Sequence, residues 1–186
     1  MRALPPPYAG HPELGDLVVA EDELQERIRE LGKQITDDYQ DRPPLLVGVL
    51  KGAFVFMADL ARAIDLPVEV DFMAVASYGA ATKTSGVVRI VKDLDLDLTG
   101  RHVLIVEDIV DSGLTLAYLR RNLLARGPAS LEVCALLVRD GNAMTELDLR
   151  YIGFRIPPAF VVGYGLDVAE SYRNLPAIHA YDANLE

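Results

Sequence analysis

Apolar runs alternate with stretches of helical period, and this alternation limits the chain more than any other feature. LLVGVL (45–50), HVLIVED (102–108) and LEVCALLVR (131–139) are apolar runs rather than strict alternators, the pattern of strands buried on both faces. VEVDFMAVASY (68–78) is a further, mostly apolar strand. Between the strands, KGAFVFMADLARAI (51–64) carries Phe54, Met57, Leu60, Ala61 and Ile64 at helical spacing. LTLAYLRRNLLARG (114–127) is a second helix, ended by Gly127-Pro128. Upstream, Leu24, Ile28, Leu31, Ile35 and Tyr39 step by 4, 3, 4 and 4, which is one face of a helix over 21–39. Glu21, Asp22 and Glu23 suit its positive end, and Asp41-Arg-Pro-Pro44 stops it. Strands alternating with helices through residue 138 predict an α/β fold: a mainly parallel sheet flanked by helices, with ligands beyond the carboxyl ends of the strands.

The remaining segments read differently. Residues 1–16 hold four prolines and little periodicity, and are expected to form a tail. Residues 79–100 hold three glycines and end in KDLDLDLTG, which predicts a mobile loop or edge hairpin. YIGF and FVVGYG (160–165) look like short strands. The strand-poor C-terminal third, about 139–180, is expected to form a small hood over the sheet edge, which the N-terminal tail is a candidate to join. No repeat or second domain is visible, so 1–186 reads as a single domain.

Composition excludes several classes. The 186 residues are 51% hydrophobic and 25% charged, enough to bury a core without disulfide or structural metal. The one cysteine, Cys134, allows no internal disulfide and suits a reducing compartment. Eighteen basic against 28 acidic residues give a net charge of −10, which repels nucleic acid and anionic membranes. No apolar run approaches the ~18 residues of a membrane span, and MRALPPPYAGHP lacks the apolar core of a signal peptide. The expectation is a soluble cytoplasmic protein with no nucleic-acid or membrane partner.

The stretch that carries chemistry is Val106-Glu-Asp-Ile-Val-Asp-Ser-Gly-Leu-Thr115. A buried strand delivers Glu107 and Asp108 at its carboxyl end, Asp111 follows three residues on, and Ser112, Gly113 and Thr115 lead into a helix. Small residues before a helix let backbone N–H groups converge on an anion, and the Ser112 and Thr115 hydroxyls add donors. Glu107 and Asp108 would repel a phosphate, but suit sugar hydroxyls or a hydrated Mg²⁺. Asp111 stands where a general base works. The set fits a phosphorylated sugar. The residues alone fit a receiver-type acidic Mg²⁺ pocket equally well, or plain solvated acids followed by a helix cap.

VEDIVDSGLTL closely resembles the phosphoribosyl-pyrophosphate (PRPP) motif of the type I phosphoribosyltransferases. Leu50-Lys-Gly-Ala-Phe-Val-Phe-Met-Ala-Asp59, Ser77-Tyr78, Ile152-Gly-Phe and Phe160-Val-Val-Gly-Tyr-Gly-Leu-Asp167 through Tyr172-Arg-Asn-Leu175 look like its hypoxanthine–guanine branch. The likeness runs from about residue 17 to 178. It implies Mg²⁺-dependent transfer of phosphoribose from PRPP to hypoxanthine or guanine, giving IMP or GMP and pyrophosphate. It implies the type I fold with a purine-binding hood, and a homodimer or homotetramer.

Roles follow by resemblance. Glu107 and Asp108 would bind the ribose hydroxyls directly or through Mg²⁺, and Asp167 would ligate a second Mg²⁺. Asp111 would be the base near the ring nitrogen that becomes glycosylated. Ser112, Gly113, Leu114 and Thr115 would hold the 5′-phosphate. Lys51, Gly52 and Arg173 would meet the pyrophosphate, and the family often has a cis peptide just before such a lysine. Ser77 and Tyr78 would open a loop, 78–92, that closes over the site. Phe160 would stack on the purine, whose edge the Val161 backbone reads. The family usually has lysine, a donor to the 6-oxo group, where this chain has Arg139; arginine can donate too, through a larger planar fork. A xanthine preference, or a weakly catalytic nucleotide sensor on the same fold, are the alternatives.

Other signals are set aside. Gly163-Tyr-Gly165 is followed by Val168 where a dinucleotide fingerprint needs glycine. His11, His102 and His179 are scattered, without zinc-ligand spacing. Cys134 reads as core. Asp93, Asp95 and Asp97 alternate with leucines as in a half-exposed edge strand, ahead of a calcium site. Lys83, Arg89 and Lys92 read as surface cations.

Overall fold

The computed structural model describes residues 11–78, 87–140 and 148–182. In chain order the elements are β1 (Leu14–Val19), α1 (Glu21–Tyr39), β2 (Leu45–Leu50), α2 (Phe54–Ala63), β3 (Glu69–Tyr78) and β4 (Val87–Lys92). There follow β5 (His102–Val110), α3 (Leu114–Leu124), β6 (Ser130–Arg139), β7 (Tyr151–Ile156), β8 (Val161–Val162) and β9 (Ile178–Tyr181).

Six strands form one sheet in the order β4-β3-β2-β5-β6-β7. All neighbours are parallel except β4, which returns antiparallel beside β3. The apolar runs explain why both faces are covered. On β2 and β5, Leu46, Leu104 and Val106 join a core with α1 and α2, while Leu45, Val47, Val103 and Ile105 join a core with α3. Leu24, Leu31 and Leu60 on one side and Leu119 and Leu123 on the other are fully buried, each worth about 1.5–3 kcal/mol of transfer free energy.

This arrangement sets the position of the site. Strands β2 and β5 are adjacent, yet α2 leaves β2 toward one face and α3 leaves β5 toward the other. The chain parts there, opening a crevice beyond the two carboxyl ends.

A second sheet, β1-β9-β8, is antiparallel and joins distant parts of the sequence, with Leu14 opposite Tyr181 and Val161 opposite Ala180. Residues 14–16, expected in a tail, therefore belong to a strand. Of the stretch 139–180 expected to make a hood, β7 lies in the large sheet and β8 and β9 in the small one.

The segment between β3 and β5, expected as a mobile loop or an edge hairpin, contains the edge strand β4, and no helix intervenes there among the described residues. A further expectation is corrected. Asp93 to Asp97 are not in a strand, because the buried Asp71 carboxylate replaces a ladder partner. It accepts the N–H groups of Asp95 at 2.8 Å and Leu96 at 3.0 Å. Leu94, Leu96 and Leu98 still turn inward onto the α3 core. Lys92 Nζ donates to the Phe72 and Asp93 carbonyls, each at 2.9 Å, a structural task. Arg89 is exposed on β4, and Lys83 lies outside the described residues. Cys134 is buried, and burial pushes its thiol pKa up, as a core residue requires. No helix among the described residues is long and apolar enough to cross a membrane.

Candidate active site

Strand β5 carries Glu107 and Asp108 to the crevice shortly before it ends at Ile109 and Val110. Glu107 is buried; burial first, and then the charge of Asp108, holds its pKa well above the ordinary carboxylate range. Burial also lifts Asp108, to about 6. The Ile109 N–H, 2.8 Å from Asp108 Oδ1, and the Arg173 charge pull it down, while Asp167 pushes it further up. The pair is thus short of positive charge.

The next residues form the turn into α3. Gly113 takes a left-handed φ of 75°, which a glycine adopts without steric cost. The first backbone bond of α3 runs from the Ala117 N–H to the Gly113 carbonyl at 2.8 Å. The N–H groups of Gly113, Leu114, Thr115 and Leu116 precede it and have no partner within the helix. Glu107 through Gly113, with Val49, Thr115 and Leu116, line a cleft of about 210 Å³.

From β2 the chain enters the site through Lys51 and Gly52, and the Leu50–Lys51 peptide is cis. A Cβ on Gly52 would lie 1.6 Å from Asp108 Oδ2, so the carboxylate rests where a side chain would otherwise be. A Cβ on Gly165 would lie 2.2 Å from the Gly52 carbonyl oxygen. Three backbone segments therefore meet at Gly52.

The third segment is the 163–175 loop, bearing Asp167 and Arg173. Arg173 Nη1 reaches Asp167 Oδ1 at 2.9 Å and the Gly165 carbonyl at 2.8 Å. Glu170 bridges Lys51 Nζ at 3.0 Å and Arg173 Nη2 at 3.1 Å. Those two cations hold the Glu170 carboxyl below its usual pKa. The loop is anchored by Tyr164, buried with φ of 50°, whose hydroxyl donates to Asp59 on α2. Gln25 Nε2 donates to the same oxygen at 3.2 Å. Burial pushes Asp59 upward, but its hydrogen bonds to Tyr164, Gln25 and Arg62 outweigh this and leave its pKa lowered.

At the end of β6, Arg139 Nη1 stands 2.8 Å from Asp111 Oδ2. Among the described residues, Arg139 Nε and Arg173 Nε are both buried without a hydrogen-bond partner.

Val161 opens β8 of the small sheet and Phe160 immediately precedes it; neither is among the residues lining the 210 Å³ cleft. Phe160 is 51% exposed, its ring 5.9 Å from that of Tyr181, so it is not a core residue. Ser77 and Tyr78 close β3 opposite Val88 and Val87; of the loop expected over 78–92, residues 79–86 lie outside the described ones. Reasoning from sequence gave no role to Glu170, Asp59 or Tyr164. Tyr164 and Asp59 sit inside the recognised motifs, but 105 residues separate them, and Glu170 lies 119 residues from Lys51.

Residues 20–169 match the family model described as a phosphoribosyl transferase domain. The chain is 52% identical over 176 residues to the hypoxanthine-guanine phosphoribosyltransferase of Mycobacterium avium, covering 91% of this chain and 87% of that protein. The chain belongs to the hypoxanthine-guanine phosphoribosyltransferase family. The Bacillus subtilis (strain 168) member is 49% identical over 166 residues, 89% of this chain and 92% of that one. A Staphylococcus aureus hypoxanthine phosphoribosyltransferase crystal structure superposes with a TM-score of 0.88 at 42% identity, covering 92% of this chain and 94% of that one. The large sheet with its helices is thus the type I phosphoribosyltransferase fold.

Among the described residues, no three His, Cys, Asp or Glu side chains cluster closely enough to cage a metal. The oxygen-only pair Glu107 and Asp108 nonetheless fits Mg²⁺, which keeps several waters and takes much of its shell from substrate oxygens.

Proposed function

We propose that the protein transfers the phosphoribosyl group of PRPP to hypoxanthine or guanine, releasing pyrophosphate and IMP or GMP, as a purine-salvage enzyme of the cytoplasm. The observation that carries this reading is the single cleft in which the turn into α3 adjoins the acid pair Glu107 and Asp108. An anion nest beside carboxylates matches a sugar phosphate at both of its ends.

Backbone N–H groups and hydroxyls from Ser112 to Thr115 grip the 5′-phosphate, with Leu114 contributing its amide. Glu107 and Asp108 face the ribose hydroxyls. Binding energy at the phosphate, far from the bond being broken, orients the anomeric carbon. Lys51, the Gly52 amide and Arg173 receive the pyrophosphate. Mg²⁺, when bound through Glu107, Asp108 and Asp167 directly or by way of water, supplies positive charge that eases pyrophosphate departure.

Arg139 and Asp111 supply a donor and an acceptor 2.8 Å apart. That couple complements the edge of a 6-oxopurine, whose oxo group accepts and whose ring N–H donates. Asp111 takes the ring proton as the new bond to the anomeric carbon forms. Phe160 offers an exposed ring for stacking on the purine and Val161 its backbone for the purine edge, the task of the hood. Ser77 and Tyr78 begin the covering loop. The protein works as a dimer or tetramer, which sedimentation checks.

The deciding experiment is an assay of purified protein with PRPP, Mg²⁺ and, separately, hypoxanthine, guanine, xanthine and adenine. Nucleotide formation from hypoxanthine or guanine is expected. Product with xanthine alone would overturn the substrate assignment, and none with any base would overturn the activity.

A further inference from the structure

Glu170 is an acid in the middle of a cationic subsite. Its two carboxylate oxygens take one cation each, Lys51 through Oε1 and Arg173 through Oε2. Both cations are the ones read above as receiving pyrophosphate, so the inference rests on that reading. The Lys51 and Glu170 side chains are 66% and 64% exposed, and an exposed ion pair adds little to folding stability. The conformation that presents Glu170 is also unfavourable. Ala169, Glu170 and Tyr172 all hold left-handed φ values, 48°, 66° and 75°, although none is glycine. The Glu170 N–H is tied to Asp167 Oδ2 at 2.8 Å, which fixes the turn. Left-handed backbone in side-chain-bearing residues persists where surrounding contacts over-determine it, often at functional positions.

We propose that Glu170 is a built-in competitor for the pyrophosphate subsite. Its carboxylate presents two anionic oxygens to Lys51 and Arg173, as one phosphoryl group of pyrophosphate does. In the free protein it keeps both cations paired and in position. When PRPP enters, phosphoryl oxygens replace the carboxylate and Glu170 swings to solvent. When pyrophosphate leaves, Glu170 re-forms the bridge and opposes rebinding. The consequence is weaker intrinsic affinity for pyrophosphate and faster product release.

The test is calorimetric titration of the full-length protein with pyrophosphate in excess Mg²⁺, comparing wild type, Glu170→Gln and Glu170→Asp. Glu170→Gln removes the charge at constant length. Glu170→Asp keeps the charge on a stem too short to span both cations. Two ion pairs are released, one exposed at Lys51 and one on the largely covered Arg173, so both variants should bind pyrophosphate about threefold to tenfold more tightly. Stopped-flow displacement should show slower release by a similar factor. Equal or weaker binding by Glu170→Gln would overturn the proposal and make Glu170 a support for the two cations. Tighter binding by Glu170→Gln alone, with Glu170→Asp unchanged, would also overturn it, since through-space charge would then suffice. If wild type bound neither pyrophosphate nor PRPP, the reading of the whole site would fall with it. Circular dichroism and melting curves establish that each variant is folded; should Glu170→Gln not fold, the Glu170→Asp comparison decides, and unchanged or weaker binding overturns the proposal.

Discussion

Arg139 Nη1 lies 2.8 Å from Asp111 Oδ2, so the residue read as proton acceptor is already engaged by the residue read as 6-oxo donor. A purine entering between them must exchange this contact for two of its own. On the proposed reading, the couple suits a base that offers an acceptor and a donor side by side. An amino group at position 6 would face the guanidinium with a donor instead of an acceptor.

Asp111→Asn should lower kcat by about 10²–10⁴, the usual contribution of a positioned base, while leaving PRPP affinity within about twofold. Steady-state kinetics beside calorimetry with PRPP separates the two effects. Unchanged turnover would remove Asp111 from the base role.

Arg139→Lys should keep or raise activity, because lysine retains a donor with a smaller head. Arg139→Ala should raise the KM for hypoxanthine by about tenfold or more through loss of a charge-assisted hydrogen bond. Neither change altering purine affinity would show that position 139 does not read the base.

The acid pair sets a pH dependence. Glu107 is raised and Asp108 stands at about 6, so the folded, metal-free protein binds more protons than the unfolded chain above the usual carboxylate range. Its stability should therefore fall as pH rises from about 4 through about 6. Asp108→Asn should remove much of this fall. In chelator, its melting temperature should match wild type near about pH 4 and exceed it near about pH 7. A wild-type melting temperature that rose across this window would contradict the assignment.

Gly52→Ala places a methyl group 1.6 Å from Asp108 Oδ2, and the carboxylate must move. PRPP binding in Mg²⁺ should weaken by about tenfold or more, with the far-ultraviolet spectrum retained. Calorimetry beside circular dichroism checks both. Unchanged affinity would show that Asp108 has no fixed position to lose.

Legibility from sequence followed the range of the forces involved. The 4, 3, 4, 4 spacing located α1 at Glu21–Tyr39, and the apolar run located β2 at Leu45–Leu50, because burial on a regular element leaves a local period. Strands β1 and β9 left none. Their partners lie at opposite ends of the chain and their pairing shifts register between Leu14 and Val19. The run from Asp93 to Asp97 showed a period of two without being a strand, since it bends where Asp71 takes the Asp95 and Leu96 N–H groups while its leucines still face the core. In the site, the turn after β5 was legible because acids, glycine and hydroxyls stand together in sequence. Glu170 was not, because its meaning depends on Lys51 and Arg173 being brought to its two oxygens by separate segments.

The small sheet joins Leu14–Val19 and Ile178–Tyr181 to the segment at Phe160, the ring proposed above to stack on the purine. Phe160 accepts the Tyr181 N–H at its carbonyl, 2.9 Å away, and the Asp182 N–H reaches the Glu13 carbonyl at 3.0 Å. An affinity handle or fusion partner that pried Leu14–Val19 loose would thus be felt at the nucleobase rather than at the sugar. Recombinant versions should carry such additions on linkers long enough to leave that outer strand seated.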